Sequence, residues 1–186
     1  MKTKFLLLVL TALTAWSLKR HYADASADEL WWILTPTARL VGAATDATFV
    51  MQPGEGYLSR KRLFLIEKSC AGVNFLIAAF AMLVFALFHR VRSLRSAAHV
   101  LVVSLAASYS AAVVVNAVRI TIAMWVAIHP PTLWTLSAAD VHRIEGITVY
   151  FAGLVLLYEL ARGLDRTVVV FPRTLAIDAR RFKVGE

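Results

Sequence analysis

The sequence predicts an all-α polytopic membrane protein, and three observations lead to this fold class. Hydrophobic residues make up 59% of the 186 residues, whereas charged residues make up only 17%. The mean hydropathy is +0.66 and the isoelectric point is ≈ 10.1. A soluble domain of this length carries more charge and a far lower hydropathy. Long apolar runs also recur along the chain, as expected of membrane-spanning helices.

The first apolar run, FLLLVLTALTAWSL at 5–18, lies between two pairs of basic residues. It is only about 21 Å long at 1.5 Å per residue, so the flanking lysines must snorkel if it crosses the bilayer. The run also resembles a signal peptide, with the small residues of YADASA at 22–27 as a cleavage site. Because Lys19 and Arg20 separate the run from that site, we favour an uncleaved span at 4–20, with cleavage as the alternative.

Three further segments are long enough to span. The second, at 70–88, carries no charged residue. The third, at 97–128, is interrupted by Asn116 and Arg119, and its outer end is either a helix extension or interfacial. The fourth occupies 142–160. We therefore predict about four transmembrane helices in a single integral-membrane domain covering 1–186.

Basic residues in the short loops predict the orientation of these spans. The loop at 89–95 has three arginines and no acidic residue, and the tail at 161–186 has five arginines and one lysine. The connector at 129–141 lacks both arginine and lysine. By the positive-inside rule the loop, the tail and the amino terminus are cytoplasmic, and the connector is outside.

The outer loop at 21–69 is more than a linker. The stretch DELWWILTPTARLVGAATDATF at 28–49 places acidic residues before a Trp-rich apolar run, which predicts a helix lying at the outer interface. Arg39 and Asp46 make it a poor full span, although a fifth crossing within 30–51 stays an alternative. The turn residues PGEG at 53–56 predict a short β-hairpin.

The composition also excludes several classes of function. The basic residues follow membrane topology and form no polar face of the kind that binds nucleic acid. A single cysteine rules out an intrachain disulfide and a Cys-rich metal centre. The five histidines lack ligand spacing, so we predict no metal and no cofactor.

Three chemically capable residues are predicted to reach one depth. Cys70 begins the second span and His142 begins the fourth, both on the outer side. Arg119 lies about 33 Å of helix rise after Ala97, which is roughly one hydrocarbon thickness from the inner end of the third span. The topology therefore brings a thiol, a guanidinium and an imidazole to the outer face from three helices.

Each of these residues also has a simpler interpretation. A lone cysteine is usually a small core residue, and a histidine at the start of a span is often only interfacial. An arginine between long apolar runs costs roughly 2.5–3.5 kcal/mol on insertion, so Arg119 is functional by default. Asn116, one turn earlier on the same face, is placed to hold the guanidinium.

Two charged pairs near the fourth span are interpreted as structural. Arg143 and Glu145, beside the predicted start of the span, are read as interfacial decoration. Glu159, near the inner end, is expected to pair with Arg162 or with solvent.

The three residues suit acyl transfer through a thioester. The two basic groups would stabilise a Cys70 thiolate as the nucleophile. His142 would protonate a leaving amine and later activate an incoming nucleophile. Arg119 would also stabilise the oxyanion of a tetrahedral intermediate.

At these residues the sequence resembles the exosortase/archaeosortase family, and especially its short exosortase K branch. The motifs are SCAGVNF at 69–75, NAVRI at 116–120 and HRIEG at 142–146, which resemble the Cys block, the Asn-x-x-Arg block and the His-x-x-x-Gly block of the family. They occur in the same order and on successive spans. The resemblance implies Cys70 as nucleophile, His142 as acid/base and Arg119 as the partner of thiolate and oxyanion. Supporting positions in the motifs are Gly72, Asn74, Asn116 and Gly146.

The resemblance also implies a substrate and a location. The substrates would be secreted proteins whose C-terminal signal combines a short motif, a transmembrane helix and a basic cluster. The enzyme would cleave that signal at the outer face of the bacterial cytoplasmic membrane, in contact with lipid and without nucleic acid. Many exosortases have about twice as many spans, so the substrate range and the acceptor nucleophile stay open, as does transfer versus hydrolysis.

Two other classes of function remain as alternatives. One is a non-catalytic assembly or scaffold protein, in which Cys70 packs in the core and Arg119 pairs with a partner helix. The other is a small transporter with Arg119 lining an anion path. A paired intramembrane carboxylate would favour transport, and the sequence reading identifies none.

Overall fold

The computed structural model describes residues 2–128 and 138–181, with side chains at 2–128 and 140–163. The structure is mostly helical (80%). Its longer helices are α1 (Lys2–Asp24), α2 (Trp31–Thr45), α3 (Val73–Leu87), α4 (Leu94–Ile128) and α5 (Ala138–Arg181). Short 3-10 helices cover Asp28–Leu30, Lys68–Cys70 and Phe88–Arg90, and the strands are β1 (Val50–Gln52), β2 (Gly56–Ser59) and β3 (Phe64–Ile66).

Three helices in the described part of the chain are long and apolar enough to cross a membrane. They are Lys68–Arg90, which joins α3 to the short helices at its ends, then Leu94–Ile128 and Asp140–Gly163. Each contains one of the spans predicted at 70–88, 97–128 and 142–160. The first predicted span, at 4–20, is helical as α1 but is not among the three, because charged residues close off its apolar run at both ends.

The fourth predicted span is part of a longer helix. Helix α5 is 44 residues long and runs to Arg181, so most of the predicted cytoplasmic tail at 161–186 is helical. Residues 129–137 of the predicted outer connector lie outside the described residues.

Helix α1 lies antiparallel to α3. The ammonium of Lys4, near the start of α1, is 5.0 Å from the centre of the Phe88 ring, which follows the end of α3. At the other end, Lys19 Nζ donates to Asn74 Oδ1 at 2.8 Å, in the first turn of α3. Buried Leu7 packs against Phe80 in a small cluster between these ends. The two helices therefore run in opposite directions.

Helix α2 lies within the stretch for which the sequence predicts an interfacial helix, whose place at the interface stays a prediction, and it packs on the middle of α4. Pro36 lacks an N–H group, so the carbonyl of Trp32 loses its helical donor. Tyr109 of α4 supplies the replacement, since its hydroxyl donates to Trp32 O at 2.6 Å. This hydrogen bond fixes α2 to α4. Before α2, the backbone N–H and the hydroxyl of Ser26 both donate to the Glu29 carboxylate, which lowers the pKa of Glu29.

The hairpin predicted at 53–56 is present, and it carries one more strand than predicted. Strand β1 pairs antiparallel with β2, with Gln52 opposite Gly56 at the turn. Strand β3 pairs antiparallel with the other edge of β2 and completes a three-stranded sheet in the order β1-β2-β3. The run LFLI at 63–66 lacks the alternation of apolar and polar residues that predicts a strand. Tertiary packing determines its pairing instead, since Ile66 is fully buried.

A stripe of small and polar side chains on α4 determines where the site forms. Buried residues recur every three or four positions along the helix: Ala97, Val100, Ser104, Ser108, Ala112, Asn116, Ile120 and Met124. Such residues let neighbouring helices approach closely. Asn116 therefore lies inside the helix bundle near the end of α4 that leads toward α5, with Arg119 one turn further on.

Candidate active site

Cys70 ends the short helix that leads into α3. Its backbone N–H donates to Glu67 O at 2.9 Å, and Gly72 two residues later has φ 68, which is left-handed. This conformation suits glycine and turns the chain into α3. The Cys70 residue is 9% exposed. Among the described residues, its thiol has a hydrogen-bond-range contact only with Ser69 Oγ, at 3.8 Å.

Asn116 fixes the backbone of Cys70 to α4. Its side-chain amide donates to the Cys70 carbonyl oxygen, and the whole residue is buried. Gly72 lies directly against this amide, since a Cβ atom at Gly72 would be 3.1 Å from Asn116 Cγ. Asn116 and Gly72 therefore form a backbone clamp on the cysteine, and their supporting role in a site stays a prediction.

Arg119 and His142 are in direct contact. Arg119 Nη2 donates to His142 Nε2 at 3.0 Å, and the side chains are 12% and 53% exposed, respectively. A guanidinium has only donors, so Nε2 of His142 must be the acceptor. The network therefore assigns a neutral His142 whose proton is on Nδ1.

Tyr150 of α5 links this pair to the cysteine clamp. Its hydroxyl accepts from Arg119 Nη1 at 3.3 Å and donates to Asn116 Oδ1 at 2.8 Å. Its ring centre is 5.3 Å from that of Phe75 in α3. A continuous set of hydrogen bonds thus runs from Arg119 through Tyr150 and Asn116 to the Cys70 carbonyl.

An open pocket of about 280 Å³ faces this network. Asn74, predicted as a supporting residue, is on its wall and accepts from Lys19. Within the described residues, the cysteine is not in the lining, whereas Ser69 and Gly72 are. The polar or glycine lining residues are Tyr22, Ser69, Gly72, Asn74, Arg119, His142, Arg143, Gly146 and Tyr150.

The carboxylate oxygens of Glu145 are buried, which the sequence interpretation of this residue as interfacial decoration did not anticipate. Its side chain is 9% exposed, and neither carboxylate oxygen has a hydrogen-bond partner among the described residues. One oxygen is 3.7 Å from His142 Nδ1 and 4.0 Å from Arg119 Nε. The other structural pair is confirmed, since Arg162 and Glu159 form an ion pair at 3.3 Å.

The structure brings the predicted residues into one region but joins them unequally. Arg119 contacts His142 directly, whereas it reaches Cys70 only through Tyr150 and Asn116. The catalytic roles of these three residues stay predictions. The sequence reading missed Tyr150, although it lies eight residues after His142, a spacing that places both on one helix face.

The chain matches no protein-family model, no curated protein and no solved structure. Among the described residues, there is also no group of His, Cys, Asp and Glu side chains that could hold a metal ion. What the site does contain is a thiol, an imidazole with one acceptor nitrogen and a fixed guanidinium. These are the groups needed for acyl transfer to and from sulfur.

Proposed function

We propose that this chain is an exosortase-type cysteine transpeptidase or peptidase, which cleaves the C-terminal sorting signal of secreted proteins through a thioester. The observation that carries the proposal is the hydrogen-bonded connection from His142 through Arg119, Tyr150 and Asn116 to the Cys70 backbone. Four of these residues, all except Tyr150, come from the motifs that resemble the family. Contacts that link all three motifs support a single site built from them.

In the proposed reaction, the sulfur of Cys70 attacks the carbonyl carbon of the scissile peptide bond. A C–S bond forms and the carbonyl electron pair moves onto oxygen. Arg119 is permanently charged and donates N–H groups to this oxyanion. For that purpose the N–H group that now contacts His142 turns toward the substrate, which frees the lone pair on His142 Nε2.

The freed imidazole then moves the protons. His142 accepts the proton of the Cys70 thiol and passes it to the leaving amine as the C–N bond breaks, so that a thioester remains. An acceptor with an amine, hydroxyl or water oxygen next adds to the thioester carbonyl and gives its proton to His142. Collapse of this second intermediate breaks the C–S bond, and His142 returns the proton to the sulfur.

We also propose four crossings in the bacterial cytoplasmic membrane, with α1 as the first and the site facing outward. The contacts between α1 and α3 support this topology, since both ends of the two helices are matched. An apolar groove of about 840 Å³ between α1, α3 and α4 offers a surface for the transmembrane helix of the sorting signal. His21 lines the groove and the adjacent Tyr22 lines the site pocket, so the two surfaces are neighbours.

The test uses a tagged secreted protein that ends in a short motif, an apolar helix and a basic tail, taken from the same genome. Co-expression with the wild-type chain is expected to shorten it. Cys70→Ala and Cys70→Ser should abolish shortening at unchanged abundance, because a hydroxyl has a far higher pKa than a thiol. Ser104→Ala is the matched control: its hydroxyl is buried in α4 without a partner among the described residues, and its loss should leave shortening unchanged. Normal shortening by an abundant Cys70→Ala protein would end the proposal.

A scaffold function is the second candidate, and the exposure of α5 favours it. Only 6% of an apolar 18-residue stretch within Asp140–Gly163 is buried, compared with 50% of the corresponding stretch within Lys68–Arg90. A partner helix would cover that surface. In this case Cys70→Ala costs about 1 kcal/mol of packing at most, and only changes at Arg119 lower the abundance of the protein.

The transporter alternative gains one feature from the structure, since Glu145 supplies a buried carboxylate beside Arg119. An ion path would need polar groups along the whole depth of the bundle. Instead, small and apolar side chains from Ala97 to Ala112 pack closely along the buried stripe of α4, with Ser104 and Ser108 as the polar members. This packing argues against an ion path and therefore favours the enzyme over the transporter.

A further inference from the structure

Glu145 is the most unusual polar group among the described side chains. Both of its carboxylate oxygens are buried without a hydrogen-bond partner there, and so is the Nε atom of Arg119 beside it. A buried polar atom without a partner costs about 1–3 kcal/mol, and a charged one costs more. Three such atoms in one place therefore destabilise the fold, and this cost suggests that the arrangement has a function.

The geometry shows what the carboxylate faces. Glu145 Oε2 is 3.7 Å from His142 Nδ1 and 4.0 Å from Arg119 Nε. Both nitrogens carry protons in the tautomer that the Arg119–His142 bond requires, and an ionised carboxylate is an acceptor only. Since N–H···O bonds have lengths of about 2.7–3.2 Å, a movement of roughly 1 Å would complete both.

Glu145 lies behind the site rather than in it. Among the described residues that line the pocket are Arg119, His142 and Gly146, but not Glu145. Gly146 allows this close packing, because a Cβ atom there would be 3.0 Å from Arg119 Nε. The carboxylate thus lies close to the two basic side chains without lining the pocket.

We infer that Glu145 is a positioning residue for the proposed acyl transfer. Its carboxylate accepts the Nδ1 proton of His142, which leaves Nε2 as the atom that exchanges protons at the pocket, and it orients the guanidinium of Arg119 through Nε. This inference rests on the proposed function for its catalytic consequence. The tautomer that it requires is a property of the folded chain alone.

The first test measures that tautomer in the full chain. The protein is labelled with ¹⁵N-histidine in detergent micelles, and the His142 signals are identified as those lost in His142→Gln. The expected pattern at neutral pH is a protonated Nδ1 and a bare Nε2. A wild-type protein in which His142 carries its proton on Nε2 would overturn the inference without need of any variant.

Two substitutions at Glu145 then distinguish the loss of the acceptor oxygen from the loss of the negative charge. Glu145→Leu removes the acceptor, whereas Glu145→Gln keeps an acceptor oxygen and loses the charge. We expect Glu145→Leu to mix the two tautomers and to reduce substrate shortening by about 10-fold or more, because Nδ1 then lacks its acceptor. In the serine-protease triad, a carboxylate-to-amide change at the matching position gives the wrong histidine tautomer and costs ~10⁴-fold. Here Arg119 donates to Nε2 and keeps the amide oxygen of Glu145→Gln facing the Nδ1 proton, so Glu145→Gln should retain the tautomer and more of the activity. Glu159→Gln, on the same helix and in an exposed ion pair, should change neither reading.

The outcomes distinguish this inference from the proposed function. If Cys70→Ala is inactive while Glu145→Leu retains both tautomer and shortening at normal abundance, only the inference fails. If Cys70→Ala still shortens the substrate, the proposed function fails, and the tautomer measurement alone decides on the contact between Glu145 and His142. A purely structural Glu145 would lower the abundance of both variants equally and leave the tautomer of the remaining protein unchanged.

Discussion

Replacing Gly72 by alanine should damage the site through one contact, and a matched substitution isolates that contact. Gly72 has φ +68 and its Cβ would be 3.1 Å from Asn116 Cγ. Gly54 has φ +78, but nothing lies within 4 Å of its Cβ. Both substitutions therefore carry the strain of a left-handed alanine, about 1–2 kcal/mol, whereas only Gly72→Ala also pushes against Asn116.

The extra cost at Gly72 follows from the bonds of Asn116. Its amide group donates to the Cys70 carbonyl and accepts from the Tyr150 hydroxyl. Displacing it leaves buried polar atoms unsatisfied, at about 1–3 kcal/mol. The free energy of unfolding of Gly72→Ala should therefore be about 1–3 kcal/mol lower than that of Gly54→Ala. It should also release the backbone of Cys70 from α4.

Two measurements in detergent check this expectation. Denaturant unfolding gives the difference in stability between the two variants. The rate of alkylation by a small maleimide reports on Cys70 alone, because the chain has no other cysteine. We expect faster alkylation in Gly72→Ala than in Gly54→Ala. Equal stabilities and equal rates in the two variants would refute the clamp of Asn116 on the cysteine.

Three further predictions concern the bridge, the guanidinium and the topology. Tyr150→Phe removes the hydroxyl that joins Arg119 to the buried amide, so it should cost about 1–3 kcal/mol in denaturant unfolding, while Tyr158→Phe on the same helix should cost less than half of that. Arg119→Lys should shorten substrate at least ~10-fold more slowly, as judged by pulse-chase, because a lysine cannot make the planar multi-donor contact; wild-type rates would contradict this role. In a Cys70→Ala background, Arg92→Cys should react with an impermeant maleimide only after cell lysis, and labelling of intact cells would reverse the proposed orientation.

The sequence could predict that the three residues lie near one another because hydropathy and helix rise are local properties. The apolar runs placed Cys70 and His142 at span ends, and the insertion cost of an arginine made Arg119 a candidate. All three do lie in one region of the structure. The depth of a residue follows from counting along a single helix, so no knowledge of the partners is needed.

The direction in which each helix faces its neighbours was harder to predict. In the sequence, Tyr150 is an ordinary residue of an apolar span. Its hydroxyl joins Arg119 to Asn116 only because this face of α5 packs against α4. Glu145 follows an arginine near the predicted end of a span, which is typical of interfacial residues. Its place beside Arg119 depends on how closely Arg119 approaches α5 at Gly146, where a Cβ atom would be 3.0 Å from Arg119 Nε, and this is a tertiary effect that no periodicity contains.

The placement of Glu145 beside Arg119 has a consequence for biogenesis. When α4 emerges from the ribosome it carries a positive charge within a long apolar segment, and its transfer into lipid costs about 2.5–3.5 kcal/mol. The matching negative charge arrives only with α5, whose own carboxylate is equally costly in isolation. The two helices should thus leave the translocon as a pair, with charge neutralisation coupled to their association. A chain truncated before α5 should consequently be a substrate for membrane quality-control proteases rather than a stable fragment.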